Sequence, residues 1–547
     1  MNIILAQVNP ISIDIENNKN KIKGILENIE KKADLVIFPK LFLYGYHKFD
    51  SLKTCPFIEN QIKNALKEIK KIAKTNVLLS YPKLKENEYI CEFALISENE
   101  IKTGNSFEIN GKTFKVIDNL KNETQIKEDF VIYSDLSISR TNEEFKRQNI
   151  LKEFATKHSK KLIFINQIGA NGEFVYDGMS RMLNEKGEIM AFAKAFEEDV
   201  LDIDINSGAR IENIPKEYFL PTNLDSFSLD YENDLERTYN STILSIRDYF
   251  SKNGFKQAVL GLSGGLDSTV CAVLLADALQ AENVLGVSMP SKLTSDLSKS
   301  DAYQLAKNLN IGFIEAPIKD YQETFTKGFS EAFDKISNYW CSRYTKSYTQ
   351  DNIQARSRAM ILWGIANEYA QTLPIATSDK SESYMGYATI NGDMSGGFAP
   401  IIDVTKTKLF ALARWMNKNR ETKNAIPESV ILKSPGAELA IDPKTGQTLK
   451  AEDALMPYEF LDEVIWRIEN LHQSIDNMLN DEFLYEKNNI ISKETKKAWL
   501  EKFTTRLKGA KYKWYISVPG PIVDANSINK AEFNQPIVSN ICYKNNN

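Results

Sequence analysis

The sequence predicts an α/β protein of at least two domains, the second built on an open, doubly wound parallel sheet. From Met1 to about Ile205, short apolar runs alternate with Lys/Glu-rich helical segments. From about Leu235 the alternation of strand and helix is more regular, and a glycine-rich turn joins the first strand there to the next helix. Between these stretches the periodicity lapses around Pro215, Pro221 and Asn223. The expected organisation is therefore a domain at 1–205, a linker at 206–234 and a second domain at 235–547. At 547 residues the chain also exceeds one ordinary core, since domains run to roughly 100–200 residues.

In the first domain, Met1-Asn-Ile-Ile-Leu-Ala-Gln7, Asp34-Leu-Val-Ile-Phe38, Val77-Leu-Leu-Ser80 and Lys161-Leu-Ile-Phe-Ile-Asn166 read as short buried strands. In the second, the reading is strand Ala258–Leu262, helix Ser268 to about Leu279, strand Val284–Met289, helix near Ser300–Leu309 and strand Phe313–Ala316. Strands separated by helices of this length pair in parallel through right-handed crossovers. Ligands of such sheets bind at the carboxyl ends of the strands.

Composition narrows the chemistry. Hydrophobic residues at 42% and charged residues at 26% are the balance of a globular protein. A net charge of -5 offers no broad basic field, so nucleic acid is not an expected partner. Cys55, Cys91, Cys271, Cys341 and Cys542 are odd in number and form no C-x-x-C pair, which fits a reducing, cytoplasmic setting rather than a disulfide framework or thiolate metal site. No secretory signal opens the sequence, and no apolar run approaches the roughly 18 residues that span a bilayer, so no membrane is expected. With only His47, His158 and His472, histidine chemistry has little to draw on. Carboxylates, lysines and backbone amides must carry the reaction.

The sharpest motif is Gly261-Leu262-Ser263-Gly264-Gly265-Leu266-Asp267-Ser268, set between strand and helix. Its glycines let the backbone approach a ligand, its serines add donors, and a helix start points amides at an anion. This describes a pyrophosphate cradle, and it lacks the phosphate lysine of a Walker loop. Asp267 beside phosphates is favourable only with a bridging cation. The motif resembles the S-G-G-x-D-S loop of the ATP-pyrophosphatase family, whose members split ATP to AMP and pyrophosphate while adenylating a carbonyl oxygen.

Later segments narrow the resemblance. They are Asn352-Ile-Gln-Ala-Arg356-Ser-Arg358, Thr377-Ser-Asp-Lys-Ser-Glu382, Gly386 through Asp393 to Gly397, Asp403-Val-Thr-Lys406, Ile426-Pro-Glu, Ser434-Pro-Gly-Ala-Glu-Leu439 and Pro457-Tyr-Glu-Phe-Leu-Asp462. In this order they resemble the glutamine-dependent NAD synthetases over nearly the whole chain. The resemblance implies ATP-dependent amidation of deamido-NAD through an acyl adenylate. It puts ATP on Gly261–Ser268 and Thr377, Mg2+ on Asp267 and Glu382, and deamido-NAD on Asn352, Glu382 and Lys513. Asp393 matches a carboxylate near the ammonia and nicotinate, and Lys406 a lysine that neutralises phosphate charge. It also implies a homo-oligomer, at least a dimer. Two departures stand out: the family usually has Thr-Gly-Asn where this chain has Thr377-Ser378-Asp379, and Lys-Arg-Arg where it has Lys513-Trp514-Tyr515.

Gln7-Val-Asn-Pro10, Val36 through Tyr46, and Asn166 through Gly178 resemble the nitrilase-like glutaminase domain of these synthetases, which implies a four-layer α-β-β-α sandwich. That activity needs a glutamate base, a lysine and a cysteine nucleophile. Lys40 stands where the family has glutamate. The loop that supplies the lysine is missing between Ile101-Lys-Thr-Gly104 and Gly111-Lys-Thr-Phe114, and Val116-Ile-Asp-Asn119 holds no cysteine at the nucleophile segment. The expectation is a pseudo-glutaminase fused to a synthetase that takes free ammonia. The alternatives are ammonia from a separate glutaminase partner, or a degenerate homologue without enzymatic function. A tRNA-thiolating enzyme would call for paired cysteines or a basic face, and a GMP synthetase for a catalytic cysteine and histidine.

Overall fold

The computed structural model describes all residues except 30–32, 47, 56, 124, 210–218, 223–225, 337–347, 421, 434–454 and 530–547. His47, Pro215, Asn223, Cys341, Cys542 and the Ser434–Leu439 motif thus lie outside the described residues. The chain divides into two compact units, Met1–Pro221 and Thr222–Asn547.

The first unit stacks two six-stranded sheets. One runs, in spatial order, Asp199–Asp204, Asn2–Gln7, Leu35–Ile37, Asn76–Lys85, Glu88–Ile96 and Ile101–Thr103. The other runs Ile189–Phe192, Arg181–Leu183, Lys161–Ile165, Phe130–Ser134, Lys112–Ile117 and Ser106–Ile109. Side chains alternate across a strand. Ile3, Leu5, Leu35 and Ile37 therefore meet Val116, Ile132 and Ile163 between the sheets. Ile4 and Val36 face outward to a layer that includes the helix Phe57–Ile72, and Val131 and Leu162 pack with Leu151 and Phe154 of the helix Glu143–His158. Burial on both faces is why these strands read as continuous apolar runs. This is the nitrilase-like α-β-β-α sandwich.

The second unit is built on four parallel strands in the order Gly312–Glu315, Val284–Ser288, Gln257–Gly261 and Thr372–Pro374. Ala258 and Leu260 pack on one face with residues of the helices Glu232–Asn253, Leu266–Leu279, Asp296–Leu309 and Lys406–Asn419. Val259 and Val287 pack on the other with Leu362 of the helix Thr349–Glu368. The sheet is thus doubly wound. Its order reverses beside Gln257–Gly261, so the carboxyl ends of that strand and of Thr372–Pro374 frame the ligand crevice. A further cluster joins Tyr384 and Met385 to the helices Tyr458–Leu471 and Lys493–Trp514. Among the described residues, no helix is long and apolar enough to cross a membrane.

Candidate active site

The glycine-rich loop sits at the carboxyl end of Gln257–Gly261, as its position between strand and helix requires. Gly264 has φ +71°, and a Cβ there would lie 2.2 Å from the Ser298 carbonyl oxygen, so only glycine fits the turn. Leu262 N–H donates to the Val287 carbonyl at 2.9 Å, and the Gly265 N–H donates to Ser263 Oγ at 3.2 Å. Ser268 Oγ lies 3.1 Å from Ser263 Oγ, closing the loop on itself. Gly265 caps the helix Leu266–Leu279 without a side-chain bond, so no N-cap side chain occupies its first amides. Thr377 follows the neighbouring strand Thr372–Pro374.

Next to the loop is a cluster of charges. Lys406 is wholly buried, and its ammonium lies 2.6 Å from Asp267, 2.5 Å from Asp379 and 3.0 Å from Glu382. Its backbone N–H donates to Ser381 Oγ at 2.8 Å, and Ser381 Oγ donates to Asp462 at 2.5 Å. The Tyr458 hydroxyl donates to Glu382 at 3.2 Å, and its ring faces the Lys406 ammonium. Burial opposes the charge on Lys406, but the three carboxylates override it and hold its pKa well above the ordinary lysine value. Burial pushes Asp379 and Glu382 upward, and Lys406 offsets only part of that.

Three carboxyl groups thus surround one ammonium, and two of them, on Asp267 and Glu382, keep part of their surface exposed. Oxygens of Asp267, Asp379 and Glu382 all lie within 4.8 Å of one another. Of these, the carboxylates of Asp267 and Glu382 offer hard oxygen donors of the kind that fit Mg2+.

The other candidate residues gather around the segment that follows. Asn352 Oδ1 accepts from Thr389 Oγ1 at 2.9 Å, Asp393 Oδ1 accepts from Thr389 N–H at 2.6 Å, and Lys513 donates to the carbonyls of Gly386 and Ala388 at 2.8 and 2.5 Å. Arg356 donates to the Ile390 carbonyl at 3.2 Å. Asn352, Asp393 and Lys513 therefore converge on one loop, and Glu382 is close enough to Asp393 to feel its charge. The departure at Trp514 has a packing reason: its ring meets Tyr384 edge-on and its Nε1 donates to the Ser383 carbonyl at 2.7 Å, tying the last helix to Lys380–Tyr384.

Asp379 was legible only as a departure from a motif. Its spacing from Glu382, three residues on, is that of a helix N-cap. It is the N-cap of Lys380–Tyr384, accepting from the Glu382 N–H at 2.9 Å. Its reach to Lys406 crosses 27 positions and left no local signal.

In the nitrilase-like unit, Lys40 follows the strand Leu35–Ile37 and its ammonium lies 3.1 Å from Asp118, just past Lys112–Ile117. Two residues alone, Gly104 and Asn105, separate the strand Ile101–Thr103 of one sheet from Ser106–Ile109 of the other. Cys91 lies close enough to Lys40 and Asp118 to feel both charges, which its sequence position did not suggest. Burial pushes its thiol up to about 11. The Asn166-to-Gly178 motif serves the framework: Asp177 takes a paired contact from Arg147 at 2.9 and 2.8 Å, and Gly178 leaves space that Gln7 fills.

An α-β-β-α sandwich joined in one chain to a doubly wound sheet with this glycine loop and charge cluster is the organisation of a two-domain, ATP-using synthetase. The NAD synthase family model matches residues 238–502. The glutamine-dependent NAD(+) synthetase of Aquifex aeolicus is 34% identical over 522 residues, covering 85% of this chain and 88% of its own. That of Acinetobacter baylyi is 27% identical, with 98% of each chain covered. The chain also resembles the solved glutamine-dependent NAD+ synthetase of Acinetobacter baumannii in complex with ADP, at a TM-score of 0.70, 25% identity and 98% coverage of both chains. The Cytophaga hutchinsonii enzyme shares the fold at a TM-score of 0.78, over 99% of this chain and 98% of its own. The chain belongs to the NAD synthetase family, in its two-domain, glutamine-dependent type.

Proposed function

We propose that this synthetase amidates deamido-NAD with free ammonia and that its nitrilase-like unit does not hydrolyse glutamine. The observation that carries the ammonia reading is the contact between Lys40 and Asp118. A base in a glutaminase must accept a proton, and an ammonium cannot. The nearby Cys91 thiol, held up near 11 by burial, is protonated at neutral pH and a weak nucleophile.

In the synthetase unit, a nicotinate carboxylate oxygen attacks the α-phosphorus of ATP, the bond to the bridging oxygen breaks and pyrophosphate leaves. Ammonia then attacks the acyl carbon, AMP leaves and ammonia sheds a proton, with Asp393 the carboxylate at hand. The loop Gly261–Ser268 and Thr377 hold ATP, and Lys406 neutralises charge as the adenylate forms. Asn352, Glu382 and Lys513 hold deamido-NAD. Such catalysis is mostly positioning and charge neutralisation. Mg2+ would be held by Asp267 and Glu382 and would supply positive charge to the polyphosphate. The ADP bound by the A. baumannii relative supports a nucleotide site. The working form is a homo-oligomer, at least a dimer, in the cytoplasm.

The second reading, glutamine as donor, is favoured by the names of the relatives. The test is NAD formation from deamido-NAD and Mg-ATP with ammonium or glutamine, beside Asp267→Ala. The expected result is NAD from ammonium only, lost in the variant. Equal rates from ammonia-free glutamine would overturn the proposed donor, and no NAD from either would overturn the synthetase reaction.

A further inference from the structure

We propose that Asp379 is a positioning residue for Lys406, clamping its ammonium from the buried side so that Asp267 and Glu382 are left for the nucleotide's cation. This role rests on Lys406 acting as proposed above.

The three carboxylates around Lys406 are not equivalent. The side chains of Asp267 and Glu382 keep 26% and 18% of their surface exposed, whereas Asp379 and Lys406 have none. Only the first two can be reached from the crevice. Asp379 has a different job for each oxygen: Oδ1 accepts the Glu382 N–H at 2.9 Å, and Oδ2 lies 2.5 Å from the Lys406 ammonium. The first contact fixes the carboxylate to the backbone of Lys380–Tyr384, so the second is aimed rather than adaptable.

Lys406 needs such an anchor. It is the first residue of the helix Lys406–Asn419, where the dipole disfavours a cation. A divalent cation held by Asp267 and Glu382 would draw on those two carboxylates, which would leave Asp379 as the ammonium's own partner. Asparagine could cap the helix equally well, but its amide could not balance the charge. Asp379 therefore supplies, beyond the cap, an ion pair that an asparagine at this position would not.

Asp379→Asn separates the two jobs, because it keeps a capping oxygen and removes the charge. Turnover should fall about tenfold or more, as for loss of one preorganised electrostatic contact. Mg-ATP affinity by calorimetry should stay within about threefold, and Asp379→Glu should recover part of the turnover. Wild-type turnover in Asp379→Asn would overturn the proposal and leave a capping role. Weaker Mg-ATP binding in proportion to the lost rate would overturn it in favour of a metal ligand. An inactive wild-type enzyme would remove the functional reading itself, whereas active wild type beside an equally active variant removes only this role.

Discussion

Lys380 is fully buried and its ammonium is shared by Asp524 at 2.8 Å, Glu469 at 3.0 Å and Asp403 at 3.8 Å, with the Asn526 carbonyl also accepting. Burial, reinforced by Asp524 and resisted by Lys380 and the Tyr384 hydroxyl, raises Glu469 from 4.5 to about 7. A carboxyl group whose pKa is higher in the folded state favours folding most below its unfolded value, and that benefit is lost as pH rises through the folded value. The wild type should therefore lose melting temperature relative to Glu469→Gln between about pH 4.5 and pH 7. Thermal scans across that range check this, and parallel curves would contradict it. At this scale legibility followed distance along the chain. The loop Gly261–Ser268 could be read because its parts are neighbours, whereas Asp379 with Lys406, Lys40 with Asp118 and Cys91 beside that pair are joined only by the fold.

The helix Lys319–Ile336 has no buried residue, yet Tyr321, Phe325, Phe329, Phe333 and Ile336 recur at spacings of four, four, four and three, each 37–49% exposed. That stripe occupies one helical face and is too apolar to be left in water without a partner. We propose this stripe as the face that the proposed dimer buries. Light scattering should give about twice the 62.2 kDa chain mass, and Phe329→Glu should return the protein to a monomer with little change in melting temperature. A monomeric wild type, or a variant that stays dimeric, would contradict the assignment. The strands and helices between Ala258 and Ala316 were legible to within a few residues, since apolar runs bounded by turns mark them. The strands Ser106–Ile109 and Lys112–Ile117 were not: the first alternates cleanly but is only four residues long, and the second mixes polar and apolar residues without a clear period.

The two units differ in the side chains they bring together. The synthetase unit brings Asp267, Glu382, Lys406 and the loop together, with Asn352, Asp393 and Lys513 on an adjoining segment. In the nitrilase-like unit Arg147 pairs with Asp177 and Arg181 with Glu144, and Lys40, which stands where the resemblance expects a base, pairs with Asp118. Fold class and family were legible because motif order survives; the nitrogen donor depends on a few side chains and needs chemistry to decide. The most direct measurement supplies deamido-NAD and Mg-ATP with amide-15N glutamine and unlabelled ammonium at equal concentration, then reads the NAD carboxamide by mass spectrometry. Silence of the nitrilase-like unit predicts NAD without 15N. Label in the carboxamide, with no labelled ammonium free in solution, would mean that the unit hydrolyses glutamine and delivers its nitrogen.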